Sequence, residues 1–171
     1  MKLNNGKFLD RTTMLVDVEN GCGCADSVSC HQSNLQDHLL DLAGPGQLQV
    51  IYSTGPRARE LCPTLLWDWG RHRYLGGHGL NGADLALINF AENDPAIFRS
   101  ARVVIVSGDG IFAPLAAALA AQGTHVTVVA RRGTLSAALR LVAHKIEYLP
   151  EFGIEVDAVD ASHDIESEVA A

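Results

Sequence analysis

The run Arg102-Val-Val-Ile-Val-Ser107 holds four consecutive β-branched apolar residues, and Gly108-Asp109-Gly110 comes directly after it. A strand apolar on both faces is stable only in a sheet covered on both sides, which is the pattern of a parallel strand in an α/β fold. The Gly-Asp-Gly stop then falls at the strand's carboxyl end, where open α/β sheets gather their ligands. Met14-Leu-Val-Asp17-Val-Glu-Asn20 repeats the arrangement, and a third aspartate, Asp84, opens a helix in Asn81-Gly-Ala-Asp84-Leu-Ala-Leu87. These three carboxylates are expected to converge. Two carboxylates ~4 Å apart repel by roughly 4 kcal/mol at an effective dielectric of 20, so such a cluster needs a proton or a cation. A hard divalent ion is the expected occupant.

The same alternation runs through the chain. Thr13–Val18 reads as a first, central strand, Ser33 is placed to cap a helix over Asn34–Ala43, and Gln47–Ser53 is a second strand. Pro56 and Pro63 interrupt the next stretch, giving an irregular segment and a short helix near Pro63–Trp69. Arg71–Leu75 reads as a third strand, and Gly76-Gly77-His78-Gly79 as loop. Helices over Ala83–Glu92, Ile111–Gln122 and Thr134–Val142 alternate with strands Arg102–Ser107, His125–Ala130 and a short Ile146–Leu149. This spacing predicts an α/β fold, a three-layer α/β/α sandwich with a mostly parallel sheet. Residues 1–11 are expected to be a flexible N-terminus, residues 12–150 one domain, and residues 151–171 an acidic tail.

A chain of 171 residues, 47% hydrophobic, suffices for one well-buried core. Its longest apolar stretch, 111–121, is far too short to span a membrane, and the first residues lack an apolar signal core, so a cytoplasmic protein without a membrane partner is expected. Cys22, Cys24, Cys30 and Cys62 would then be thiols. The net charge of −7 argues against nucleic acid, but its distribution does not. Residues 151–171 hold seven acids and no Lys or Arg, leaving 13 acids against 13 bases in residues 1–150. Arg57, Arg59, Arg71 and Arg73 cluster with His72 and His78, either as a solvated face or as a rim that contacts phosphate.

Asp-x-x-Asn after the first strand (Asp17, Asn20), Gly82-Ala83-Asp84 opening a helix, and Ser107-Gly-Asp-Gly110 after a Val/Ile-rich strand together resemble the NYN-domain proteins of the PIN-like nuclease superfamily. The likeness extends through Gly123–Val129 and Leu135–Leu139, covering roughly residues 12 to 149. It implies a PIN-like, Rossmann-like topology with strand order 3-2-1-4-5 and a metal-dependent ribonuclease, expected to be an endoribonuclease. Asp17, Asp84 and Asp109 would bind Mg²⁺ or Mn²⁺ and carry catalysis, with Asn20, Ser107 and Glu19 supporting them. Arg57, Arg59, Arg71, Arg73 and His78 would hold single-stranded or structured RNA. Two family positions differ: Ile111 and Phe90 stand where many members carry further acids, which leaves one metal or two open. A homo-oligomer stays open as well.

Each feature has a plainer reading. Asp17 and Asp109 could accept backbone N–H bonds in turns, and Asp84 could complement a helix dipole. Cys22, Cys24, Cys30 and His31 could bind zinc, but Cys-x-Cys is tighter than the usual knuckle, and loop thiols are the default. Trp67 and Trp69 suit core packing better than base stacking. Against the nuclease stands an NYN-like RNA-binding or regulatory module that has lost its chemistry with the fourth acid. A nucleotide-binding α/β domain would need a Gly-x-Gly-x-x-Gly or P-loop sequence, which the chain lacks. The acidic tail is expected to fold against the basic rim and limit non-specific binding.

Overall fold

In the computed structural model, which describes residues 3–4, 7–23, 29–56 and 72–151, the valine-rich run is the middle of strand β5 (Ser100–Val106). Strands β2 (Lys7–Asp17), β3 (Gln47–Thr54), β4 (His72–Gly76), β6 (His125–Ala130) and β7 (Lys145–Tyr148) lie parallel to it in the order β4-β3-β2-β5-β6-β7. The expected 3-2-1-4-5 order is present, extended by β7. β1 (Leu3–Asn4) pairs antiparallel with β2.

Alternate residues of the central strands feed two cores, one on each face of the sheet. Met14, Val16, Val50, Tyr52, Val104 and Val106 pack with α1 (Val18–Cys22) and α2 (Ser29–Ala43) through Leu35 and Leu39. Leu15, Ile51, Val103 and Ile105 pack with α3 (Gly82–Asn93), α4 (Pro95–Phe98), α5 (Ala113–Ala121) and α6 (Ala137–Val142) through Leu87, Ile97, Leu115 and Leu139. The side-chain period of two in a strand makes this split unavoidable. Each fully buried Leu, Ile or Val contributes roughly 1.5–3 kcal/mol. The result is the three-layer α/β/α sandwich the sequence indicates.

Three element boundaries differ from the sequence reading by more than two residues. β2 begins at Lys7, well before the apolar run, because its polar half is held by pairing: Arg11 faces Gln47 on β3, and Phe8 faces Ser100 on β5. Helix α2 begins at Ser29, so Ser33 lies inside it; no Gly or Pro separates the two residues. The helix expected from Thr134 begins at Ala137, where Ser136 Oγ accepts the Leu139 N–H at 3.2 Å. The segment Pro63–Trp69, including Trp67 and Trp69, lies outside the described residues.

At the amino pole of the sheet, Arg102 ties the layers together by donating to Thr12 Oγ1 and to the Leu42 and Ala43 carbonyls that end α2. The chemistry is expected at the other pole, where β2 and β5 release Asp17 and Ser107.

Candidate functional site

Asp17 is the last residue of β2 and the N-cap of α1, only 5% exposed. Its Oδ1 accepts the Asn20 N–H at 3.2 Å, and its Oδ2 accepts the Ser107 hydroxyl at 3.2 Å. The Ser107 hydroxyl oxygen in turn accepts the Asp109 N–H at 3.2 Å, and Asn20 Oδ1 accepts the Gly108 N–H at 3.3 Å. The Asp-x-x-Asn and Ser-Gly-Asp motifs are therefore one hydrogen-bonded unit across adjacent strand ends. Glu19 reaches the other way, its Oε1 accepting the Gly55 N–H at 2.9 Å beyond β3.

Asp84 enters from the first turn of α3, lines the same cleft as Asp17, and lies close enough for each carboxyl to shift the other's proton affinity. Burial, then the Asp84 charge, push Asp17 up to about 7, against the pull of the Asn20 and Ser107 hydrogen bonds. Burial also raises Asp84, and the Asp109 charge adds to the effect. Asp84 Oδ1 is buried with no hydrogen-bond partner. Two acids in such a setting share a proton or attract a cation.

A cleft of about 260 Å³ opens over the pair, lined by Asp17, Glu19, Asn20, Gly55, Asn81, Asp84 and Asp109 among others. The three sequence-predicted acids thus line one cleft, but they do not converge. Asp109 Oδ1 is turned into the next turn, where it accepts the Ile111 N–H at 3.0 Å. Among the described residues no group of three or more Asp, Glu, His or Cys side chains is arranged to hold an ion. The donor set still suits a hard cation. Mg²⁺ sites commonly use one or two carboxylates and take their remaining oxygens from water and substrate phosphate. The orphaned Asp84 Oδ1 and the repelling pair are what such an ion would relieve.

The remaining expectations fall less centrally. Arg73 lies on the edge strand β4 with its guanidinium 4.7 Å from the centre of the Phe90 ring, and Phe90 and Ile111 pack against the second core. Side chains thus fill positions where the family often has acids. His78 is exposed, beside the cleft-lining Gly79. Arg57, Arg59, Arg71 and Cys24 lie outside the described residues, as do the side chains of Cys30 and His31 and the tail beyond Glu151; Cys22 is a buried thiol. The sequence reading missed Gly55 and Asn81. The signal for Gly55 was its place directly after a strand, and Asn81 is the sole non-glycine residue with positive φ, 53°, among the described residues.

Gly77 decides where Asp84 stands. A methyl group there would overlap Ala83 N and lie 2.5 Å from Ala83 Cα, so the start of α3 rests on bare backbone. Gly77→Ala is expected to cost about 3 kcal/mol or more, because neither backbone can yield without displacing the helix. Urea unfolding checks this; a loss under about 1 kcal/mol would mean that α3 has room to move.

The comparisons with known proteins agree with this frame. No curated protein matches the chain. A crystal structure of a protein of unknown function from Vibrio parahaemolyticus is similar in fold, with a TM-score of 0.61 and 18% identity over 88% of this chain and 98% of that one. Among the described residues, no helix is long and apolar enough to cross a membrane. The family model of the NYN domain matches residues 85–150, a stretch that includes Asp109 and begins one residue after Asp84. Over those residues, then, the chain is similar to the NYN domain, a domain of the PIN-like nuclease superfamily.

Proposed function

We propose that this protein is a divalent-metal-dependent ribonuclease that cuts RNA phosphodiester bonds in the cleft over Asp17 and Asp84. The observation that carries the reading is the mutually repelling pair of buried Asp17 and half-buried Asp84 at the carboxyl pole, the Asp84 Oδ1 atom itself buried without a partner, beside a Ser-Gly-Asp turn. Asp17 and Asp84 would hold Mg²⁺ or Mn²⁺, and Asp109 lines the same cleft as the third acid. When bound, the ion supplies a lowered pKa for the attacking water and neutralises charge growing on the phosphate. The chain supplies position. Ser107 and the Asn20 amide fix both oxygens of Asp17, Asn20 Oδ1 fixes the Gly108 amide, and the Gly55 amide fixes Glu19 at the cleft wall. Held in this way, the acids lose little orientational freedom when substrate arrives.

A second reading has its own support. Asp109 is engaged as a cap, and Ile111 and Phe90 replace further acids, which favours an RNA-binding module without cleavage. Labelled RNA incubated with Mn²⁺ or with EDTA, beside Asp17→Asn and Asp84→Asn, separates the two. The ribonuclease cuts with Mn²⁺ only, and either variant loses cutting on the order of 10³-fold. Binding without cutting favours the module, and cutting that survives EDTA and both substitutions rejects the metal mechanism.

A further inference from the structure

The arginines expected to grip RNA lie in or near segment 57–73, yet another set stands at the carboxyl pole, on the opposite side of the cleft. Arg131 and Arg132 come directly after β6, and Arg140 lies in α6. All three are exposed. The Arg131 guanidinium lies against Gly23, the residue that closes α1, so closely that a methyl group on Gly23 would overlap Arg131 Nη1. Arg132 Cζ sits 5.1 Å from the centre of the Tyr148 ring, and Arg140 Nη2 donates to Tyr148 Oη at 3.4 Å. Tyr148 ends β7, so one phenol orients two guanidiniums on the rim.

Charge distinguishes these three from the structural arginines. Arg102 spends its donors on Thr12 and two helix-end carbonyls. Among the described residues, Arg131, Arg132 and Arg140 pair with no carboxylate, and the adjacent ion pair is Lys145–Glu147. Three forks in a row that face no carboxylate among the described residues match phosphates, which guanidinium binds in bidentate fashion. Strand spacing sets the reach: β6 and β7 lie two and three strands from β2, hence roughly 10 and 14 Å from Asp17. Arg131 links the row to the cleft because its guanidinium packs against Gly23, which closes the short helix that Asp17 opens.

We infer that Arg131, Arg132 and Arg140 form a phosphate track that carries the backbone of single-stranded RNA out of the cleft across β6 and β7. The inference rests on the ribonuclease reading above and adds the path and the strandedness. A cleft of about 260 Å³ admits a phosphate and part of one nucleotide, not a paired helix. The track then holds the phosphates beyond the cleft, through charge and without reading bases.

The test uses the full chain and a labelled 20-residue oligouridylate in EDTA, with affinity measured as a function of KCl. The double variant Arg132→Ala/Arg140→Ala should bind on the order of tenfold more weakly at low salt. Its slope of log affinity against log salt should fall by about 1.4, since each single-strand phosphate contact contributes about 0.7. Arg132→Lys/Arg140→Lys should keep the slope, and Arg11→Ala, at the amino pole, should match wild type. With Mn²⁺ present, the alanine pair should raise KM and leave kcat unchanged. An alanine pair that binds like wild type overturns the track while leaving the ribonuclease reading intact. A lysine pair that also loses the slope points to a packing defect and overturns it too. A rise in affinity would mean that the patch holds the chain's own acidic tail instead of RNA. No binding by wild type removes track and ribonuclease together.

Discussion

Asp17→Asn is expected to leave the protein inactive and more stable at pH 8. In the native state Asp17 is buried against Asp84, and both effects lift it from 3.8 to about 7. An acid with a raised native pKa stabilises the fold while protonated, and that stability drains away as pH climbs from about 4 to about 7. At pH 8 the wild type therefore folds around an ionised, poorly solvated pair. Asparagine removes the charge and keeps the fit. Its Oδ1 still accepts the Asn20 N–H, and its Nδ2 can donate to Ser107 Oγ or to Asp84. A gain of about 1–3 kcal/mol at pH 8 results, or roughly 3–8 °C in Tm for a domain of this size. At pH 5, where native Asp17 is still protonated but the unfolded carboxyl is already ionised, about a third of that drain has occurred, and the gain should shrink to roughly a third. Melting curves in EDTA at the two pH values check this. A variant less stable at both would mean that the Asp17 carboxylate is a structural cap and nothing more, which is its plainer reading.

Stability given up at one site is what a cluster of like charges costs a fold. The conflict was legible in the sequence because topology alone delivers it. Val103–Val106 cannot be anything but a two-sided buried strand, and parallel order then sends Asp17 and Ser107 to the same pole. Helix α3 returns Asp84 to that pole because it begins where β4 ends. What the sequence could not show are details set by contacts between distant residues. The Asp109 carboxylate is turned by a single N–H two residues on, a choice of rotamer rather than of fold. Glu19 is fixed by an amide 36 residues away, and the extension of β2 back to Lys7 depends on partners in β3 and β5. Periodicity sees the buried face of each element. It does not see which polar groups find one another across strand ends.

Mn²⁺ is expected to raise the Tm of the wild type strongly at pH 8 and weakly at pH 5. A cation held by Asp17 and Asp84 needs both ionised, so below about 7 it must displace the proton that burial and Asp84 keep on Asp17. One proton displaced across two pH units costs about 100-fold in apparent affinity, or roughly 2.7 kcal/mol. Mn²⁺ at 100 times its pH 8 Kd would add about 2.7 kcal/mol to stability there, and at pH 5 almost all of that gain is gone. The pH trend of the apo protein and that of the Mn²⁺ shift should therefore run in opposite directions: repulsion drains stability as pH rises, and binding restores it. Asp17→Asn should abolish most of the Mn²⁺ shift while keeping its own higher baseline, which separates ion binding at the pair from non-specific adsorption to the acidic tail. Equal Mn²⁺ shifts at both pH values, or an undiminished shift in the variant, would place the ion elsewhere on the chain. In that case the cleft would be left as a proton-sharing pair, because nothing but a proton or a cation lets Asp17 and Asp84 stand together in so little water.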